Sequence, residues 1–107
     1  MFKIRYSRVA KKDLEDIGDY IAMELKSPKA ALNTITHIQD VIDKLEYAPH
    51  IGPSLSARYE NVGDYRYLVC GNYLAFYRIQ SNEVYIDRIL YGKRDYLGIL
   101  FGTAPDK

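Results

Sequence analysis

At 107 residues, 48% of them apolar, the chain can build one two-layer core but not two. Its net charge of +1, from 15 basic and 14 acidic residues, excludes the overall basic excess of a typical nucleic-acid binder. The single cysteine, Cys70, excludes an intrachain disulfide and a cysteine-based zinc site. No apolar run approaches membrane-spanning length and no secretory leader is visible, so residues 1–107 are expected to form one cytoplasmic domain.

Phe2-Lys3-Ile4-Arg5-Tyr6 alternates apolar and basic residues and predicts a first strand with Phe2, Ile4 and Tyr6 on one face. Ser7 follows as an N-cap. Ala10, Leu14, Ile17, Ile21 and Leu25 then recur at spacings of three and four, which predicts an amphipathic helix. Lys11, Asp13, Glu15, Asp16 and Asp19 are expected largely on its wet side. Ser27-Pro28 ends this helix and starts another, because proline disfavours helical geometry before it yet suits the first helical position. Ala31, Ile35, Ile38, Ile42 and Leu45 carry the second helix to about Tyr47, so the pair is expected to fold back as an antiparallel hairpin. Proline and glycine punctuate a loop at residues 48–54, and 55–63 reads as irregular.

Tyr65 to Tyr96 reads as three aromatic and β-branched runs split by two turn signals. Gly71-Asn72 is a two-residue hairpin turn, and Gln80-Ser81-Asn82-Glu83 is expected to be slightly longer. The tail from Asp95 to Phe101 is apolar, and 102–107 is expected to fray. The predicted fold is α+β, in the order β-α-α-β-β-β. A long helical hairpin packs on a twisted, mainly antiparallel four-stranded sheet.

Strict alternation puts Leu74, Phe76 and Arg78 opposite Tyr73, Ala75, Tyr77 and Ile79. It likewise puts Val84, Ile86, Arg88 and Leu90 opposite Tyr85, Asp87, Ile89 and Tyr91. Neither face is purely aliphatic, so one is expected to be a partly solvated surface carrying arginines and some of the chain's 11 tyrosines. Arg66, Arg78, Arg88, Tyr91, Lys93 and Arg94 form the candidate target-binding face, able to hold phosphates or an acidic protein segment. The alternative is that Arg66, Arg78 and Arg88 are solvated strand residues with cross-strand partners such as Asp87. Cys70 reads as a small buried hydrophobe. His37 and His50 lie far in sequence from the sheet, and no catalytic triad, phosphate loop, cofactor motif or metal-ligand spacing appears.

The order of these pieces resembles the RelE/ParE superfamily, the toxin halves of bacterial type II toxin–antitoxin modules. The resemblance covers nearly the whole chain: Tyr6-Ser7 leading into Ala-x-x-Asp-Leu, the helical hairpin, and Leu45-x-x-x-Pro49-x-x-Gly52. Most specific are Tyr65-Arg66-x-Leu68-Val69-x-Gly71-Asn72-Tyr73-x-x-x-Tyr77-Arg78 and Arg88-Ile89-Leu90-Tyr91-Gly92-x-Arg94-Asp95. The resemblance implies a growth-inhibiting toxin of a plasmid-stabilisation module, without cofactor or metal, neutralised by a cognate antitoxin in a hetero-oligomer.

Two targets stand within the superfamily. RelE-like members cleave mRNA in the ribosome, whereas ParE-like members poison DNA gyrase. On the nuclease reading, Arg66, Arg94 and Tyr91 or Tyr96 would carry the chemistry. Leu68 and Leu74, however, occupy positions that are basic in RelE-like nucleases, and Tyr91 stands where several relatives have histidine. Leu100 lies about where they place a functional tyrosine. That depletion points to the ParE-like branch, with a non-toxic, antitoxin-binding member as a further alternative. The apolar tail residues Leu97, Ile99, Leu100 and Phe101 read either as a packed terminal turn or as an antitoxin contact.

Overall fold

In the computed structural model, residues 1–57, 59–60 and 63–102 are described. Strand β1 (Lys3–Tyr6) leads through Ser7 into helix α1 (Arg8–Leu25). The Ser7 hydroxyl accepts from the Ala10 amide at 2.9 Å, filling one of the orphan donors of the first turn. Lys26 turns left-handed (φ 50°) to close α1, and Ser27 caps helix α2 (Pro28–Asp43) by accepting from the Ala30 amide at 3.1 Å. The helices approach closely at Gly18, where an added Cβ would come within 2.7 Å of the Ile35 Cδ1.

A 3₁₀ turn (Lys44–Glu46) follows α2, and another (Leu55–Ala57) lies within the stretch read as irregular. The meander is β2 (Arg66–Cys70), β3 (Tyr73–Gln80) and β4 (Glu83–Tyr91). Both of its turns have two residues, since Cys70 pairs with Tyr73 and Gln80 with Glu83. The second turn is thus shorter than expected, with Ser81 taking the positive φ (57°) that Gly71 (64°) takes in the first.

Strand order is β1-β4-β3-β2, with β1 parallel to β4 and the other pairs antiparallel. The helical hairpin covers one face. Ala10, Leu14, Ile17, Ile38, Ile42 and Leu45 pack there against Cys70, Ala75, Tyr77, Val84, Ile86 and Ile89. Full burial of Ile38, Ile42 and Leu45 removes side chains worth about 1.5–3 kcal/mol each from water.

Three expectations are overturned: the strict alternation of β4, the exposure of Asp13 and the burial of Leu25. Phe76 pairs with Arg88 but Tyr77 pairs with Ile86, so Asp87 is an extra residue in a β-bulge. The bulge reverses the alternation beyond it: Ile89 joins the helix-side core, while Leu90 joins Phe76 and Leu55 in a second apolar cluster. Asp13, expected on the wet side, is buried. Leu25, expected in the buried stripe, is 65% exposed at the tip of the hairpin.

Finally, the apolar tail forms a short helix, α3 (Tyr96–Phe101), capped by Asp95 and closed by Gly102 at φ 69°. Its Leu97, Ile99, Leu100 and Phe101 pack on the second cluster, so part of the other sheet face is covered too. Of the residues 102–107 expected to fray, Gly102 is ordered as the C-cap of α3, its amide donating to the Gly98 carbonyl, and 103–107 lie outside the described residues.

Candidate functional site

The arginines of the predicted binding face do not converge. Arg66 donates to the carbonyls of Gly52 at 2.7 Å and His50 at 3.4 Å, fastening the proline loop to the sheet edge. That loop is also held by the buried Tyr77 hydroxyl, which donates to the Pro49 carbonyl (2.8 Å) and accepts from the Gly52 amide (3.0 Å). Gly52 is required at this point, because a Cβ would collide with the Tyr67 carbonyl and the Tyr77 hydroxyl.

Arg78 is bonded to the bulged Asp87 (Nε to Oδ2, 2.7 Å) and lies between the rings of Tyr65 and Tyr85, at 5.9 and 5.8 Å. Tyr65 donates to the same carboxylate at 2.8 Å. The expected cross-strand partner Asp87 therefore serves Arg78. Arg88 instead reaches Asp13 on α1 through Nε (2.8 Å) and Nη2 (2.9 Å), and the Ile89 amide donates to that carboxylate at 2.9 Å. In both pairs the carboxylate holds the guanidinium above its ordinary pKa, outweighing the opposing effect of burial. These three cations are committed to the protein's own architecture.

Tyr91 and Arg94 are placed differently. Both line a groove of ≈ 600 Å³ between α1 and the end of the sheet, together with Asp13, Asp16, Ile17, Tyr20, Asn72, Tyr73, Ile89 and Leu90. The Tyr73 and Tyr91 rings meet edge to face at 5.8 Å. Burial pushes the Tyr73 hydroxyl's pKa up, with the neighbouring Tyr91 and Tyr20 adding to the effect. Lys93 lies exposed beside Arg94. Among the described residues, neither Lys93 nor Arg94 has a side-chain hydrogen bond or ion pair.

The remaining candidates lie elsewhere. Tyr96 is in the second apolar cluster, its ring tilted over Phe76 at 5.2 Å and its hydroxyl 3.1 Å from that of Tyr59. Leu68 packs against the helix-side core, and Leu74 against the second cluster. His37 lines a neighbouring cavity, while His50 is in the proline loop. Neither histidine lines the groove. Sequence reasoning missed Tyr20, Asn72 and Tyr73 as groove residues. The available signal was Tyr20, a large aromatic four residues beyond Asp16 on the polar side of α1.

Among the described residues, no group of three or more His, Cys, Asp or Glu could hold a metal ion. Nor is any helix among them long and apolar enough to cross a membrane.

Residues 4–96 match the family model described as the ParE toxin of the type II toxin–antitoxin system parDE. The chain belongs to the ParE toxin family. As a ParE-family protein, it is a type II toxin–antitoxin toxin of the RelE/ParE superfamily.

A chain from the chromosomal ParDE toxin–antitoxin system of P. aeruginosa superimposes on this ParE-family chain with a TM-score of 0.72 and 25% identity. That match covers 85% of this chain and 96% of the other. A chain from the RelBE2 toxin–antitoxin complex of Mycobacterium tuberculosis shares the fold at 0.54 and 20% identity, covering 84% and 96% of the two chains. YafQ from E. coli shares it at 0.51 and 14%, covering 85% and 93%. No curated protein matches in sequence.

Proposed function

We propose that this ParE-family toxin inhibits growth by binding and poisoning DNA gyrase in the cytoplasm, as part of a stabilisation module whose antitoxin neutralises it. The observation that carries the reading is the commitment of Arg66, Arg78 and Arg88 to internal partners, on top of the family match. Metal-independent RNA cleavage requires several preorganised cations and a proton-transfer pair around one phosphate. Each such donor is commonly worth about 3 kcal/mol of transition-state stabilisation. Here the groove offers Arg94 and tyrosines, no histidine, and carboxylates already engaged by Arg88 and Lys12. That inventory suits binding better than catalysis. Induced expression should therefore trigger DNA-damage signalling while translation continues at first. Immediate mRNA cleavage on ribosomes without a gyrase effect would overturn the assignment.

One observation favours the endoribonuclease reading: Tyr91 and Arg94 share a groove. On that reading Arg94→Ala abolishes codon-linked cleavage while antitoxin binding survives. A purely antitoxin-binding, non-toxic role would instead leave growth unimpaired on expression without antitoxin.

A further inference from the structure

Helix α1 carries two stripes. Ala10, Leu14, Ile17 and Ile21 form the one that packs on the sheet. At roughly 100° per residue, Val9, Lys12, Asp16, Asp19, Tyr20 and Met23 fall within about 100° of arc on the side away from that core. All six are exposed, and three of them are large apolar side chains: Val9 (49%), Tyr20 (63%) and Met23 (77%). A solvated helix face ordinarily carries charged and polar residues throughout, so the apolar members of this stripe call for a cover.

The order of the stripe identifies that cover. Counted from Asp16, Val9 lies seven residues before and Met23 seven after, while Lys12 lies four before and Tyr20 four after. The stripe is thus symmetric in position about Asp16 and complementary in charge from end to end, with Lys12 before the centre and Asp19 after it. An antiparallel second α1, related by a two-fold axis at Asp16, sets Val9 against the partner's Met23. The same rotation puts Lys12 between the partner's Asp19 and the partner's Tyr20, an ion pair and a cation–π contact. Each Asp16 at the axis is already held by its own Lys12 at 2.8 Å. An ammonium has three donors, so Lys12 can serve its own Asp16 and the opposite chain together.

We propose that this outer face of α1 is a self-association surface, through which two copies of the chain pair back to back in a two-fold dimer. A self-complementary patch is what such an isologous contact requires, whereas an unrelated helix would have no need of the symmetric spacing. The contact runs the length of α1, about 27 Å at a rise of 1.5 Å per residue. Two helices of that length bury less than the roughly 1,200 Å² of a stable complex, so the dimer is weak and assembles at micromolar concentrations or above. Asp16 and Tyr20 also line the groove beside Arg94, so pairing places a second chain next to that groove in both copies.

Sedimentation velocity of the purified chain, from low micromolar to millimolar concentration, tests the proposal. A monomer–dimer equilibrium is expected, and Met23→Glu or Val9→Lys should weaken it at least about tenfold, as loss of an apolar anchor does. Lys12→Asp and Asp19→Lys should each weaken it too, because each sets like charges against one another across the axis. A mixture of those two variants should dimerise more tightly than either alone, since opposite charges then meet at both ends. Leu32→Ser, on α2, should leave the equilibrium unchanged, and thermal midpoints should confirm that each variant is folded. A chain that stays monomeric at every concentration, a dimer insensitive to Met23→Glu but lost on Leu32→Ser, or a mixture that associates no better than its components would overturn the proposal.

Discussion

Replacing Asp13 with alanine tests the joint between α1 and the sheet. The carboxylate accepts three hydrogen bonds of 2.8–2.9 Å, two from Arg88 and one from the Ile89 amide just past the bulge. Its side chain is 10% exposed and that of Arg88 26% exposed. Removing one partner of a buried ion pair costs about 3–5 kcal/mol, because the remaining charge stays desolvated. Partial exposure of Arg88 places this case near the lower end, and the orphaned Ile89 amide adds about 1 kcal/mol. The expected loss is about 4 kcal/mol, a large share of the roughly 5–15 kcal/mol that holds a domain together. Chemical denaturation followed by circular dichroism measures it directly. Pairing Asp13→Leu with Arg88→Met should recover most of the loss, since an apolar pair leaves no buried charge behind. A loss below about 1 kcal/mol for Asp13→Ala, or no recovery in the double variant, would refute the account of this joint.

Tyr77→Phe should cost about 1–3 kcal/mol, since the Gly52 amide and Pro49 carbonyl both lose the buried hydroxyl; an unchanged thermal midpoint would contradict this. Burial pushes the Cys70 thiol up to about 11, so a thiol reagent at pH 8 should label it only as the chain opens; rapid stoichiometric labelling of the folded chain would contradict it. The unfolded chain gives up that proton near pH 9 while the folded one keeps it, so stability should fall as pH rises from about 9 to about 11. Arg94→Ala should shift stability by no more than about 0.5 kcal/mol, since its side chain has no hydrogen-bond or ion-pair partner among the described residues, yet should reduce toxicity on induction.

The parts of the fold governed by local rules were legible from residue order. Serine caps, the proline after Ser27 and the 3.6-residue spacing of Ala31, Ile35, Ile38 and Ile42 describe the hairpin that forms. Gly71-Asn72 marks a turn because the first position needs a positive φ. What was not legible depends on contacts across long sequence separations. Nothing near Asp87 announces an extra residue, yet that bulge decides which of Ile89 and Leu90 faces the helices. Asp13 looks like any helix-surface acid until Arg88, 75 residues later, arrives beside it. The candidate site shows the same division. Tyr91 and Arg94 were singled out by the family resemblance and Lys93 by its place beside Arg94 at the end of the sheet, whereas Arg66, Arg78 and Arg88 proved internally paired only once their partners were placed. Tyr20 reached the groove because α1 packs against β4, which brings it beside Tyr73 and Tyr91.

The central claim, a toxin that acts by binding gyrase, is tested most directly with purified components. Gyrase, supercoiled plasmid and ATP are incubated with the chain, and linear DNA is scored after denaturation and proteolysis. Trapped gyrase–DNA cleavage complexes that rise with toxin concentration, and disappear when antitoxin is added, are the predicted result. No gyrase-dependent cleavage at any toxin concentration, together with cleavage of ribosome-bound mRNA by the same preparation, would contradict it.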